Sequence, residues 1–302
     1  MTTPVQHSPT TNGTITRCPV CGGKPAPLFT IDRFEAPFDI LRCPDCGLQM
    51  QSVLPADPDG FYDEGYYTGR AEYTYKDERD RLPFERHVWN ARLKNIAKFV
   101  APPADFLDVG CAFGGFVQAA EDFGFRGKGL DVSQFASETG RARGLDLRTG
   151  ALEPGVFPEN SCDVVTMIEV FEHLADPRTA CRALSEIIRP GGLCVIQTAN
   201  FDGRQARQAG ADYHYFLPGH LFYYSARNLQ RLLEQFGFST FHVYRPVDFG
   251  LLPKLLKSRG DFRSWRDYLR WIRIARYHWM GKIAHGDFAL TSSMVLYAIR
   301  DR

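Results

Sequence analysis

Four cysteines stand in two short pairs, Cys18-Pro-Val-Cys21-Gly and Cys43-Pro-Asp-Cys46-Gly. Within each pair two thiolates can turn toward one ion, and the glycine after the second sulfur permits a tight turn that brings backbone N–H groups toward it. Soft ligands spaced C-x2-C…C-x2-C suit tetrahedral zinc. All four positions are protein ligands, which leaves none for water and makes the zinc structural. Two disulfides or free thiols are the other readings. The polar start of the chain has no apolar signal core, which predicts a cytoplasmic, reducing setting and counts against disulfides. Cys111, Cys162, Cys181 and Cys194 lie in apolar contexts and are expected as buried packing.

A second constellation runs from Asp105 to Ser133 and reads as strand, glycine-rich turn, helix and strand. Small residues in Gly110-Cys-Ala-Phe-Gly114-Gly115 let a ligand approach the backbone, and free N–H groups at the helix start favour an electron-rich group. Asp131 ends the second strand about 20 residues past the turn, where an acid suits ribose hydroxyls. A nucleoside-bearing cofactor follows. A dinucleotide would want glycine where Ala112 stands. The third constellation is Asp212 to Ser225, with two histidines and four tyrosines. His220, His214 and Tyr224 are the candidate catalytic residues. A lone histidine suits removal of a hydroxyl proton; the other reading is that His220 only orders its loop.

The glycine turn resembles motif I of class I S-adenosylmethionine (SAM) methyltransferases, a hydrophobic run followed by D-x-G-x-x-x-G. Asp108, Gly110 and Gly114 match it, and Ala112 replaces the usual middle glycine. Asp163 to Leu174 (DVVTMIEVFEHL) is similar to the family's D-x-V-x-x-x-x-V-L-E-H run, and Arg189-Pro-Gly-Gly192 to its L-K/R-P-G-G loop. These motifs cover Asp105 to about Thr198. The resemblance, to the ubiquinone-biosynthesis-like, methyltransferase-23-type branch, implies a Rossmann-like seven-stranded α/β core with SAM as cofactor. It places Asp108, Gly110, Ala112, Gly114, Asp131, Val132 and Glu169 around SAM, with Ala151 and Leu152 at the adenine edge. Phe61-Tyr-Asp-Glu-Gly-Tyr66-Tyr67 resembles a segment that helps cover the cofactor; aromatics stapled to the core surface are the alternative. His173 reads as a base or as a residue positioning the next helix. Sugar C-methyltransferases with a similar zinc module carry Glu-His where this chain has Gly219-His220, which favours O-methylation here.

The elements that must position these residues fit 302 residues with 44% hydrophobic content and net charge +1. That balance predicts no general attraction to nucleic acid, and no apolar run approaches the roughly 18 residues of a membrane span. The expected division is a disordered tail (1–14), a zinc ribbon (15–54), a helical linker and cofactor cover (55–100) and a SAM methyltransferase domain (101–302). Strands are expected near 106–109, 128–132, 145–149, 164–168, 193–198, 241–244 and 293–299. Residues 251–282 form an insertion with nine Lys/Arg against two Asp, net +7, interleaved with Trp265, Tyr268, Trp271, Ile272, Ala275 and Trp279. It reads as a surface for an anionic partner, or as a lid packing its aromatic stripe on the core. The function expected is O-methylation of a small-molecule or sugar/glycan-type acceptor, anionic if the basic insertion faces it. An RNA methyltransferase using the zinc module, a sugar C-methyltransferase and a non-catalytic binding module are the alternatives.

Overall fold

A computed structural model describes residues 10, 11, 13–57, 59–68, 79–286 and 288–301. Strands β1 (Ala26–Ile31), β2 (Phe38–Arg42) and β3 (Gln49–Gln51) make an antiparallel meander, with Cys18 and Cys21 just ahead of β1 and Cys43 and Cys46 in the β2–β3 turn. After helices α1 (Glu64–Tyr67) and α2 (Leu82–Ile96) the chain alternates strand and helix. The order is β4 (Asp105–Val109), α3 (Gly115–Phe123), β5 (Arg126–Asp131), α4 (Gln134–Arg141), β6 (Leu147–Thr149), β7 (Cys162–Ile168), α5 (Pro177–Ile187) and β8 (Ile188–Ala199). Then follow α6 (Arg204–Ala209), β9 (Phe222–Tyr223), α7 (Ala226–Glu234), β10 (Phe238–Tyr244), α8 (Leu251–Ser258), α9 (Arg270–Gly281) and β11 (Ser293–Arg300).

Seven strands form the central sheet in the order β10-β11-β8-β7-β4-β5-β6. β11 runs antiparallel to both β8 and β10, and the other pairs are parallel. The order reverses between β4 and β7, which opens a crevice at the carboxyl ends of those strands. Local chemistry explains the boundaries. Asp176 caps α5 by accepting the N–H groups of Arg178 (3.0 Å) and Thr179 (3.1 Å), with Pro177 as first helical residue. Ser225 and Asn228 form a reciprocal capping box on α7. That helix buries Leu229, Leu232 and Leu233 against the sheet, each contributing about 1.5–3 kcal/mol.

The strands fall where expected, with one difference. The Arg189–Gly192 stretch is not a loop ahead of β8 but an irregular start of the strand, with a register shift between Ile188 and Leu193. Arg189 there bridges Asp105 (2.9 Å) and Asp163 (2.7 Å), tying the starts of three neighbouring strands together. The amino-terminal stretch also corrects an expectation. Thr10–Thr11 pairs with Thr14–Ile15, Thr14 bridges Val53, and Ile15 is buried, so this part of residues 1–14 is ordered against the ribbon. Residues 1–9 and 12 of the expected tail, and 58 and 69–78 of the expected linker, lie outside the described residues.

The ribbon is not a detached module. β9, far along the chain, joins it as a fourth strand in the order β9-β3-β2-β1. Ile15, Val20, Leu48, Met50 and Leu54 share one buried cluster with Leu107, Val165, Leu184 and Leu232 of the main core.

Candidate active site

The glycine turn sits at the sheet's reversal point. Gly110 has φ +72, and a β-carbon there would stand 2.3 Å from Val170 Cγ2, so only glycine lets β4 pass the end of β7. Gly114 has φ +78 and would meet Leu145 Cδ1 at 2.7 Å. Ala112 itself adopts φ +48, the left-handed region a glycine occupies without cost, and Glu169 at the mouth of β7 has φ +56. Strain of this kind collects at functional sites. Asp131, 4% exposed, accepts the N–H groups of Ala112 (2.8 Å) and Ser133 (2.9 Å) and the Tyr67 hydroxyl (3.2 Å). Asp108 is buried and accepts the Thr166 hydroxyl, which makes it a strut between β4 and β7. Val132 is half-buried beside Asp131, and Ala151 and Leu152 follow β6 as expected. These residues could hold a nucleoside: a carboxylate at a strand end, a turn without bulky side chains, and a crevice between them.

The aromatic segment lies over this crevice. Tyr67 packs edge-on against Phe113 (5.3 Å), Tyr66 against Tyr67 (5.1 Å), Tyr62 against Tyr66 (5.1 Å), and Tyr62 against His173 (5.9 Å). Burial, then the charges of Asp131 and Glu172, push the Tyr66 phenol up to about 12. Tyr66 thus stands between the acid of the cofactor side and a second group of titratable residues.

That second group is Glu172, His173 and His220, in which one ligating atom from each lies within 4.8 Å of the others. The His173 and His220 rings meet edge to face at 4.6 Å. His173 Nδ1 is 2.8 Å from the Gly219 carbonyl oxygen, and His220 Nδ1 is 2.8 Å from that of Tyr215. A carbonyl can only accept, so each neutral ring carries its proton on Nδ1 and presents Nε2 as a lone pair. Burial lowers both imidazoles, His173 to about 4 and His220, also facing His173, well below its ordinary value. Glu172 is 1% exposed, and burial followed by the Glu169 carboxylate raises its pKa well above the usual range. The Tyr215 hydroxyl reaches both Glu169 and Glu172.

Of the three expected catalytic residues, only His220 enters this group. His214 is exposed, edge-on to Tyr213. Tyr224 is fully buried against Phe171 (5.2 Å) and Phe222 in the main core. Glu172 and the positioning residues behind the group were not singled out from the sequence. Arg92 of α2 pairs with Asp248 (3.0 Å), which also accepts the Tyr297 hydroxyl (2.6 Å), and Arg92 bonds Gln197, whose amide meets Glu169 at 2.6 Å. No local pattern marks these four, because they come from α2, β8, β11 and the stretch after β10.

The ribbon holds the loop that carries His220. Gln51 Nε2 donates to the carbonyls of Pro218 (2.8 Å) and His220 (3.0 Å), and its backbone N–H to Leu221 (2.9 Å). Arg33 binds the carbonyls of Ala211, Tyr213 and Phe216 at 2.8, 2.9 and 2.6 Å. At the ribbon's other end Cys18, Cys21, Cys43 and Cys46 converge, with all four sulfurs within 4.8 Å of one another. Cys18 and Cys46 are 3.5 Å apart, and Cys21 and Cys43 3.3 Å. All eight cysteines are free, and the other four are buried. No helix of the described residues is long and apolar enough to cross a membrane.

Strand order, reversal-point crevice and glycine turn define the class I SAM methyltransferase fold. The sequence profile of the methyltransferase-domain family matches residues 78–243, more than half of the chain, and the chain belongs to that family. Among its relatives is a ubiquinone biosynthesis O-methyltransferase of Parvibaculum lavamentivorans, 29% identical over 140 residues, covering 44% of this chain and 55% of the relative. A probable S-adenosylmethionine-dependent methyltransferase of Mycolicibacterium smegmatis is 33% identical over 136 residues, covering 44% and 51%. The chain thus spans about half the length of these curated relatives. The phosphoethanolamine N-methyltransferase 2 of Haemonchus contortus, solved with S-adenosyl-L-methionine, shares the fold. Its TM-score is 0.58 at 16% identity over 91% of this chain and 71% of that one.

Proposed function

We propose that this chain transfers a methyl group from SAM to a hydroxyl oxygen of a small-molecule or sugar-type acceptor. The observation that carries this reading is the neutral His173–His220 pair beside the tyrosine-covered crevice. SAM supplies a methyl group already activated on a sulfonium, so the protein's task is alignment and proton removal. Asp131 holds the ribose, the 110–114 turn accommodates the rest of the nucleoside, and the 61–67 aromatics exclude water. His173, the partly exposed ring, faces the acceptor, and His220 backs it. The Nε2 lone pair of His173 takes the hydroxyl proton, a contribution of about 10²–10⁴-fold. Glu169, Glu172 and Tyr215 orient the acceptor. His214 and Tyr224 have no part in this reading.

The cysteine quartet fits structural zinc. An ion about 2.3 Å from four tetrahedral sulfurs sets them roughly 3.8 Å apart, near the spacing of the paired thiols. Cys18 accepts backbone N–H groups of Val20 and Cys21, Cys46 that of Leu48 and Cys21 that of Gly23, as thiolate ligands require.

C-methylation is a second reading, favoured by one observation. The carboxylate absent at Gly219 is present in space as Glu172, beside both histidines. Incubation with acceptor in deuterated water separates the two. Exchange of a carbon-bound hydrogen before transfer supports C-methylation, and its absence together with formation of a methyl ether supports O-methylation.

A further inference from the structure

The inner side of the carboxyl-terminal insertion is accounted for by packing. Trp271 donates its Nε1–H to Ser258 at 3.0 Å and closes an aromatic group with Phe262 and Tyr268, and His278 is buried. The outer side is different. Trp265 is 74% exposed, Ile272 67%, Leu269 61% and Trp279 59%, with Leu252 and Ile283 equally open. Leu269, Ile272, Arg276 and Trp279 recur three or four residues apart and form one ridge along α9, with Trp265 exposed on the 3-10 turn before it and Ile283 exposed just past its end. Arg266, Arg270 and Arg273 form a parallel exposed row. Arg266 lies over the Trp265 ring at 5.7 Å and Lys282 over that of Trp279 at 4.9 Å.

Charge is as uneven as polarity. Residues 251–282 hold net +7 in a chain of net +1, so the remainder carries −6. The two acids of the insertion are engaged locally: Asp261 by Arg81, and Asp267 by the N–H groups of Arg263 (2.9 Å) and Ser264 (2.8 Å). We propose that this ridge docks the protein peripherally on an anionic lipid surface, with its tryptophans and aliphatic side chains at the acyl–headgroup boundary and its arginines among the lipid phosphates. Amphipathic segments with Trp and Leu on one face and Arg beside them bind in this way. An RNA surface would stack on the tryptophans but offer nothing to Leu252, Leu269, Ile272 and Ile283, which have no π-face. An acidic protein partner would leave the same aliphatics facing charge.

The test is co-sedimentation of the full chain with vesicles of phosphatidylcholine plus phosphatidylglycerol, against phosphatidylcholine alone. Binding should require the anionic lipid and weaken as salt rises. Trp265→Ala with Trp279→Ala should lower partitioning roughly tenfold, and Arg266→Glu, Arg270→Glu and Arg273→Glu together should abolish it. Circular dichroism and SAM binding of both variants should match the parent, which separates lost docking from lost folding. The proposal is overturned if lipid charge makes no difference or if the folded variants bind vesicles like the parent. It is equally overturned if the chain forms a dimer that the tryptophan changes dissolve, or if it retains RNA through the arginines while ignoring vesicles.

Discussion

His173 and His220 lie edge to face with ring centroids 4.6 Å apart, each holding a carbonyl of the 215–219 turn through Nδ1. The pair is therefore built into the loop as well as into the crevice. His220→Ala and His173→Ala should each reduce turnover about 10²–10⁴-fold, while the SAM dissociation constant stays nearly the same. Initial rates and calorimetry on the same preparations provide the comparison. Parental turnover in either variant would remove that ring from the reaction.

Asp131 has two tasks, which its substitution should separate. Asp131→Ala removes the proposed ribose contact and also the acceptor for the Ala112 and Ser133 N–H groups. SAM affinity should fall by about tenfold or more, since hydrogen bonds to a charged group contribute about 1.5–3 kcal/mol. The melting temperature should fall as well. Unchanged calorimetric affinity would refute the ribose contact even if stability dropped.

The buried titratable group makes stability depend on pH with two opposite signs. Both histidines have folded pKa values below the ordinary imidazole value, so the unfolded chain binds more protons between about pH 6.5 and pH 4. Their contribution is complete above about pH 6.5 and is lost as pH falls toward His173's value of about 4. Glu172 is raised, so its contribution is fully present below the ordinary carboxyl value and is lost as pH rises from there toward its raised folded value. Glu172→Gln should therefore raise the melting temperature near neutral pH while lowering turnover, and His173→Gln should flatten the acid limb. Thermal melts across pH read both, and a Glu172→Gln protein that melts lower at neutral pH would contradict the assignment.

The thiol cluster should communicate with the acceptor side. Elemental analysis is expected to find one zinc per chain, lost in Cys43→Ser. On chelation, hydrogen exchange should quicken first in residues 211–223, which hang from Gln51, Arg33 and β3, and only later in β4 and β5. Gln51→Ala should raise exchange in the same segment with zinc still bound. Uniform exchange across the chain would show that the ribbon does not hold this loop.

Arg92 and Asp248 form an ion pair with 3% and 0% side-chain exposure. Asp248→Ala leaves the guanidinium buried without its partner and should cost about 3–5 kcal/mol. Replacing both by apolar residues of similar volume should cost much less. Denaturant titrations of both single variants and the double variant test this, and a double-variant loss equal to the sum of the two single losses would mean that the pair is not coupled.

The sequence by itself determined the cofactor half and the thiol cluster. Strand, glycine turn, helix and acid succeed one another within about 30 residues, and each cysteine pair within four, so local backbone geometry alone brings the groups together. Even the departure at Ala112 was legible, and the structure adds only its φ of +48. The acceptor half was different. His220 and His173 each stood out by residue type, but their meeting did not: Glu172 and His173 come from the end of β7, and Gln51 and Arg33 from the ribbon. Tyr224, two residues beyond Phe222 in the same aromatic run, turned into the core instead. Whether a side chain in an irregular loop points in or out is set by long-range contacts, which carry no periodic signal along the chain. The insertion shows the same limit. Its aromatics looked like one stripe, yet Trp271 packs inward while Trp265, Ile272 and Trp279 face out. Only the docking of α8 and α9 on the core decided which side of that helix the solvent meets.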